Sequence, residues 1–197
     1  NGKTVLTGQT SRSGFETSTP MANGAFNTKI EADFYGYCGA ECNRNRLRLR
    51  HAYGEYAGWL IGQTWSTFMD LDNLPETVDF NGPPGATSRR PVQVRYTYNN
   101  PSVAKFQFAV EDPSDGAHSP NLIARIDKAY DWGSMSVRAL SHEQRMDGVS
   151  KRGLGFGLSG SYKLTGTTTL MAQYTLMDGD NDGAYLVGAN YPVVDGN

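Results

Sequence analysis

With 197 residues, a net charge of −2 and a pI near 5.9, the chain has room for one or two ordinary domains and lacks the basic stripe of a nucleic-acid binder. Its apolar fraction is 38% and its mean hydropathy −0.52, and no stretch of about 18 apolar residues exists, so no transmembrane helix is expected. Neither value excludes a membrane β-barrel, whose lumen-facing half is polar and lowers the average.

The chain opens Asn1-Gly2-Lys3, without a signal peptide, and reads as mature or internal. Beyond a short turn at Pro20–Gly24, Phe26, Thr28, Ile30, Ala32 and Phe34 share one face, and Asn27, Lys29, Glu31, Asp33 and Tyr35 the other. That period of two predicts a strand. A polar loop at Tyr37–Asn45 carries Cys38 and Cys42. With no His or further Cys nearby, a metal site lacks ligands; the pair reads as a small disulfide-closed loop in an oxidising compartment, or as two free thiols.

The next predicted strand, Arg46–Tyr53, places Arg46, Arg48 and Arg50 opposite Leu47 and Leu49, and a short turn follows at Tyr56–Gly58. Met69–Arg89 is a long loop with Asp70, Asp72, Glu76 and Asp79; Pro75, Gly82, Pro83, Pro84 and Gly85 make it stiff, and Met69–Phe80 has room for one short helical turn. Alternation resumes with Val92, Val94, Tyr96 and Tyr98 against Gln93, Arg95 and Thr97. Phe106, Phe108 and Val110 then oppose Lys105, Gln107 and Glu111, with a turn at Asn99–Ser102 between. A polar loop at Pro113–Pro120, a turn at Asp131–Gly133 and a further loop at Asp147–Lys151 precede Leu154, Phe156, Leu158 and Tyr162, which alternate with Gly155, Gly157, Ser159 and Ser161. After a turn at Leu164–Gly166, Leu170, Ala172, Tyr174 and Leu176 alternate with Met171, Gln173 and Thr175.

Turns and longer loops thus take turns along the chain, as in an up-and-down membrane barrel with tight periplasmic turns and longer outer loops. Many strands are about 9–12 residues, long enough to cross a membrane at a tilt. Tyr35, Tyr53, Tyr56, Trp59, Tyr98, Tyr130, Trp132 and Tyr162 sit at strand ends, as interfacial girdles do. The expected fold is all-β, a transmembrane antiparallel up-and-down barrel formed by a single domain over 1–197. About eleven strands are expected; because single-chain barrels close with an even number, the chain reads as lacking strands at the C-terminal side and one at the start. A soluble carbohydrate-binding β-sandwich is the alternative.

The run Arg48-Leu-Arg-His-Ala-Tyr53, and then Trp59-Leu-Ile-Gly-Gln-Thr-Trp through Asp79-Phe-Asn-Gly82, resembles the DcaP family of trimeric outer-membrane porins, as do Ser11-Arg-Ser-Gly-Phe15 and Thr28–Phe34. The resemblance is strongest over Ser11–Tyr98. It implies a sixteen-stranded barrel in the outer membrane of a Gram-negative bacterium, a homotrimer among lipid and lipopolysaccharide, a loop folded into the pore, and passage of anions such as dicarboxylates, without cofactor or catalysis. The Cys38–Cys42 loop departs from the family pattern.

If the apolar member of each alternating pair faces lipid, the lumen receives Arg12, Lys29, Arg46, Arg48, Arg50, Arg95, Lys105 and Arg125, with Glu16, Glu31, Asp33, Glu111 and Asp127 as acids. Arg46, Arg48 and Arg50 form a ladder with rungs about 6.8 Å apart, able to select anions and grip the two ends of a dicarboxylate. The competing reading pairs these rungs with Glu31 and Asp33 on the neighbouring strand. From the residues alone, loop 69–89 equally caps the barrel from outside or folds inward; the resemblance implies inward, its acids facing the arginine wall. Asp178–Gly183 opens like a calcium loop, but its twelfth position is Ala189 and no helices flank it. The histidines His51, His118 and His142 share no ligand spacing, and no serine sits in a nucleophile elbow.

Overall fold

The computed structural model describes residues 8–36, 46–74, 87, 89–113, 117–146 and 149–178, with the side chains of 144–146 left out. Ten strands follow one another in chain order: β1 (Arg12–Met21), β2 (Gly24–Gly36), β3 (Arg46–Tyr56), β4 (Trp59–Gln63), β5 (Val92–Asn100), β6 (Ala104–Glu111), β7 (Asn121–Tyr130), β8 (Gly133–Met146), β9 (Val149–Lys163) and β10 (Thr169–Met177). Each pairs antiparallel with the next in one continuous sheet, an up-and-down meander that forms a barrel wall. No helix occurs among the described residues; at Met69, where one helical turn had room, the chain makes only an isolated turn, with Met69 N–H donating to the Ser66 carbonyl at 3.1 Å. The outer edges of β1 and β10 have no strand partner among the described residues.

Alternation sets the two faces. Phe15, Ile30, Leu47, Val94, Phe108, Leu122, Val137, Leu154, Phe156 and Leu176 are exposed on one side of the sheet. Among the described residues no second sheet packs on them: Leu47 is 65% and Phe156 44% accessible. A sandwich would bury this face, so the sandwich alternative falls, and hydrocarbon is the solvent that suits such a surface.

Short turns join the strands at one end of the wall. At β3–β4 the Ala57-Gly58 pair takes positive φ at both positions (50° and 86°), the geometry of a two-residue hairpin turn. Aromatics gather at this end. Trp59 and Tyr96 rings lie 4.8 Å apart, Tyr130 and Trp132 stack at 4.7 Å, and Trp132 meets Tyr162 at 5.8 Å. This is the geometry of an interfacial belt.

Two expectations about connections and faces change. The loop expected at Asp147–Lys151 is a continued ladder: β8 and β9 pair out to Met146 and Val149, a hairpin standing past the ends of its neighbours. Its polar residues are as able to extend a ladder in water as apolar ones are in lipid. Tyr53, expected in the girdle, faces inward. Glu31 pairs with His51 while Ala32 pairs with Leu49, so Arg50 is an extra residue, a β-bulge. Beyond it parity flips; Tyr53 stands opposite Lys29 and its ring meets His51 edge-on.

Candidate functional site: the lumenal wall and its inward loop

On the concave side the strands carry Gln93, Arg95, Lys105, Gln107, Glu111, Asn121, Arg125, Asp127, Ser136, Arg138 and Ser159, mostly buried. They are buried because the segment following β4 folds onto them. Its two limbs first pair: Ser66 N–H donates to the Arg89 carbonyl at 2.9 Å. The chain then runs sideways across β5 to β10. Glu111 accepts Thr67 N–H and Ser66 Oγ–H, both at 2.7 Å. Arg125 donates to the Met69 carbonyl at 2.5 Å, Arg138 to the Phe68 carbonyl at 3.0 Å, and Gln173 to the Asp70 carbonyl at 3.0 Å. Ser134 donates to the Asn73 side chain at 2.8 Å.

One cross-strand row of this wall is apolar. Ala109, Ile123, Leu140, Gly155 and Met177 are successive partners in the register of β6 to β10. Phe68, fully buried, packs against Ala109, Ile123 and Leu140, with Met177 alongside. The assumption that apolar side chains face lipid therefore fails for these residues and for Leu60, whose burial is inward. The next row pairs Arg125 with Arg138 and Arg138 with Gly157. Glycine there leaves space for the guanidinium, since a Cβ would lie 2.9 Å from Arg138 Nε.

Asp70 sits over this pair of arginines. It accepts from Arg125 at 3.1 Å, from Asn73 at 2.7 Å and from Ser159. Burial pushes its carboxyl up, but the Asn73 and Ser159 hydrogen bonds and the Arg125 and Arg138 charges outweigh burial and hold it below its ordinary value. Asp70, expected to face the Arg46, Arg48 and Arg50 ladder, is bonded instead to Arg125 of β7. Asp72 is exposed, while Glu76 and Asp79 lie outside the described residues, as do Cys38, Cys42 and the prolines at 75, 83 and 84.

The arginine ladder lies on the other flank and is engaged as the competing reading required. Arg48 grips Asp33 with two bonds, 2.9 and 2.6 Å. Arg50 donates to Glu31 at 2.7 Å and to Asp33 at 2.9 Å. Lys29 bridges Glu16 at 2.6 Å, and Lys105 bridges Asp127 at 3.0 Å. Arg125 also holds Asp127 at 2.7 Å. Arg12 and Arg46 are exposed, with no ion pair among the described residues.

Three lumenal side chains escaped the sequence reading. Arg90 rests over the Trp65 ring at 4.2 Å. Burial, with the neighbouring Arg50 and Arg48 charges, lowers its pKa to about 10, so it is charged at neutral pH. His51, turned inward by the bulge, meets Thr64 Oγ1 at 3.0 Å. Arg138 was legible, because Met135, Val137 and Ala139 alternate with it.

Against known proteins, the crystal structure of the outer membrane channel DcaP of Acinetobacter baumannii superposes with a TM-score of 0.80 at 30% identity, over 92% of this chain and 55% of that one. The chain thus spans about half the length of that channel. Comparison with curated protein sequences finds no match. The family model for the DcaP outer membrane protein matches residues 3–191, well beyond the Ser11–Tyr98 stretch where motifs are evident. An outward apolar face, an aromatic belt and a polar wall crossed by a buried loop agree with that match: the chain belongs to the DcaP outer membrane protein family and resides in the outer membrane.

Proposed function

We propose that the protein forms the wall of a passive channel for small hydrophilic solutes that favours anions, dicarboxylates among them, and that loop 69–89 narrows it. The observation that carries the reading is a local excess of guanidinium: Arg12, Arg48, Arg50 and Arg90 act on one another through their charges, and among the described residues Glu31 and Asp33 are the acids bonded to Arg48 and Arg50. Ion pairing does not exhaust these groups. Arg48 spends Nε and Nη2 on Asp33 and its side chain is 38% exposed, so its remaining amino group is open to a passing carboxylate, whereas Arg50, bonded to Glu31 and Asp33, is buried. Arg12, exposed on β1, adds a second guanidinium for a dianion. A closed pore also needs the β1 and β10 edges paired, since unpaired backbone groups cost several kcal/mol each in hydrocarbon. Assembly as a homotrimer amid lipopolysaccharide belongs to the same proposal and is tested by particle size in detergent.

Reversal potentials across a planar bilayer under a salt gradient test the selectivity; cation preference would overturn it. Succinate block tests the site. Arg48→Ala should raise the half-blocking succinate concentration about tenfold, the loss of one charge-assisted contact. Unchanged block would remove the arginine cluster from the pathway.

A further inference from the structure

Lumenal cations elsewhere on β5 to β8 have polar partners: Lys105 and Arg125 are bonded to acids, and Arg138 to Phe68 O and Ser159 Oγ. Arg95 is different. It forms no hydrogen bond or ion pair with any described residue, and its Nε is buried without a partner. Its cross-strand neighbours explain why, since Leu60 precedes it and Ala109 follows it in register. Glu111, the acid of the same wall, is committed to Ser66 and Thr67.

Arg95 opens instead into a recess of about 530 Å³ on the short-turn side, lined also by Glu55, Leu60, Thr97, Asn99 and Gln107. That size suits a small-molecule site. Tyr56 Oη accepts Asn23 N–H at 3.2 Å, holding the β1–β2 turn at the rim. The register is informative. Glu55 pairs with Leu60 and Leu60 with Arg95, so an acid and a base flank one leucine on three adjacent strands. Their backbones are about 9.6 Å apart, a gap two inward-reaching side chains can close on a small solute. The charges balance, unlike those of the arginine cluster. A dicarboxylate would set one of its charges against Glu55.

We propose that this recess is a second solute station, taking a small monocarboxylate that carries an adjacent hydroxyl or ammonium group. The carboxylate meets Arg95, the hydroxyl or ammonium donates to Glu55, and the Leu60 methyls lie against the carbon between them. The inference rests on the channel reading for access to the recess, but not on dicarboxylate preference.

An isosteric series tests it in detergent-solubilised protein by saturation-transfer NMR and in bilayers by block from the short-turn side. The probes are lactate, alanine and isobutyrate, which differ only in the hydroxyl, ammonium or methyl beside the carboxylate. Lactate and alanine should bind at least about fivefold more tightly than isobutyrate. Arg95→Gln should weaken lactate and alanine about tenfold. Glu55→Gln should weaken alanine more than lactate. Arg95→Lys, which keeps the charge, should retain partial binding and controls for misfolding. Equal binding of all three probes, or lactate binding unchanged in Arg95→Gln, would overturn the station. Absence of conductance with NMR binding intact would overturn the channel reading alone.

Discussion

Removing Phe68 should free the inward loop. The side chain is fully buried and fills a recess formed by Ala109, Ile123 and Leu140. Phe68→Ala would forfeit about 3–5 kcal/mol, the usual cost of such a cavity. Strand pairing does not depend on Phe68, so the loss should fall on loop opening and leave the sheet intact. The polar anchors remain, chiefly Glu111 on Thr67 and Ser66 and Arg125 on Met69 and Asp70, so the loop stays closed on average. At about 1.4 kcal/mol per decade the open population should rise by roughly two to three and a half orders of magnitude. Native-state hydrogen exchange reads this directly. The Thr67 amide donates to Glu111 and the Met69 amide to Ser66, and both should accelerate by that factor. Amides in the β6–β7 ladder serve as the internal standard and should not change. Unaltered Thr67 exchange would show that the loop is held by its polar contacts and that the apolar row is incidental. Equal acceleration of loop and ladder would show that loop and wall open as one unit.

Three further outcomes follow from the charged groups and close contacts. The Asp70 carboxyl lies below its ordinary value of 3.8, so its contribution to loop closure is complete above pH about 4 and is lost as pH falls through the lowered value; protection of the Asp72 amide, which donates to Asp70 at 3.2 Å, should decline below pH about 4, and Asp70→Asn should remove that part of the dependence while leaving the part that Glu111 gives the Thr67 amide. Asp33→Asn removes the acid shared by Arg48 and Arg50 and makes the lumen more positive by one charge, so the reversal potential should move toward greater anion preference; a move toward cations would contradict the placement of that cluster on the solute path. Gly157→Val would drive its Cβ to within 2.9 Å of Arg138 Nε, and the buried guanidinium, bonded to Phe68 and Ser159, has no room to yield; overpacking of about 1–3 kcal/mol should appear as a lower denaturation midpoint and faster Met69 exchange.

Period-two alternation was enough to locate the wall, its faces and its turns, because each residue's side is fixed by parity as long as the ladder is regular. It failed where regularity fails. The Arg50 bulge cannot be seen in Arg48-Leu-Arg-His-Ala-Tyr53, since the extra residue is defined by its partners on β2, not by local composition. Parity therefore placed Tyr53 wrongly and overlooked His51. The inward apolar row was hidden for a different reason. Ala109, Ile123 and Leu140 are isolated in the sequence and become neighbours only through the register of three strands. About eleven strands were expected, and ten lie among the described residues.

That hidden row bears on how a water-lined wall can hold a loop at all. Exposed ion pairs contribute about 0–1 kcal/mol each and are screened by salt, so a uniformly polar lumen would tether residues 66–74 only loosely. A single apolar row changes the balance. Once Phe68 displaces water from it, neighbouring contacts lie in a drier setting, and the backbone carbonyls of Phe68, Met69 and Asp70 need partners because they can no longer reach solvent. Arg138, Arg125 and Gln173 supply them, one from each of three strands flanking the same apolar strip. The arginines of β7 and β8 thus serve first to satisfy a buried loop, whereas Arg48 and Arg50 of β3 are bonded to Glu31 and Asp33 and, among the described residues, make no hydrogen bond to the loop. Guanidinium position relative to the apolar row, more than guanidinium number, decides which arginines hold the loop.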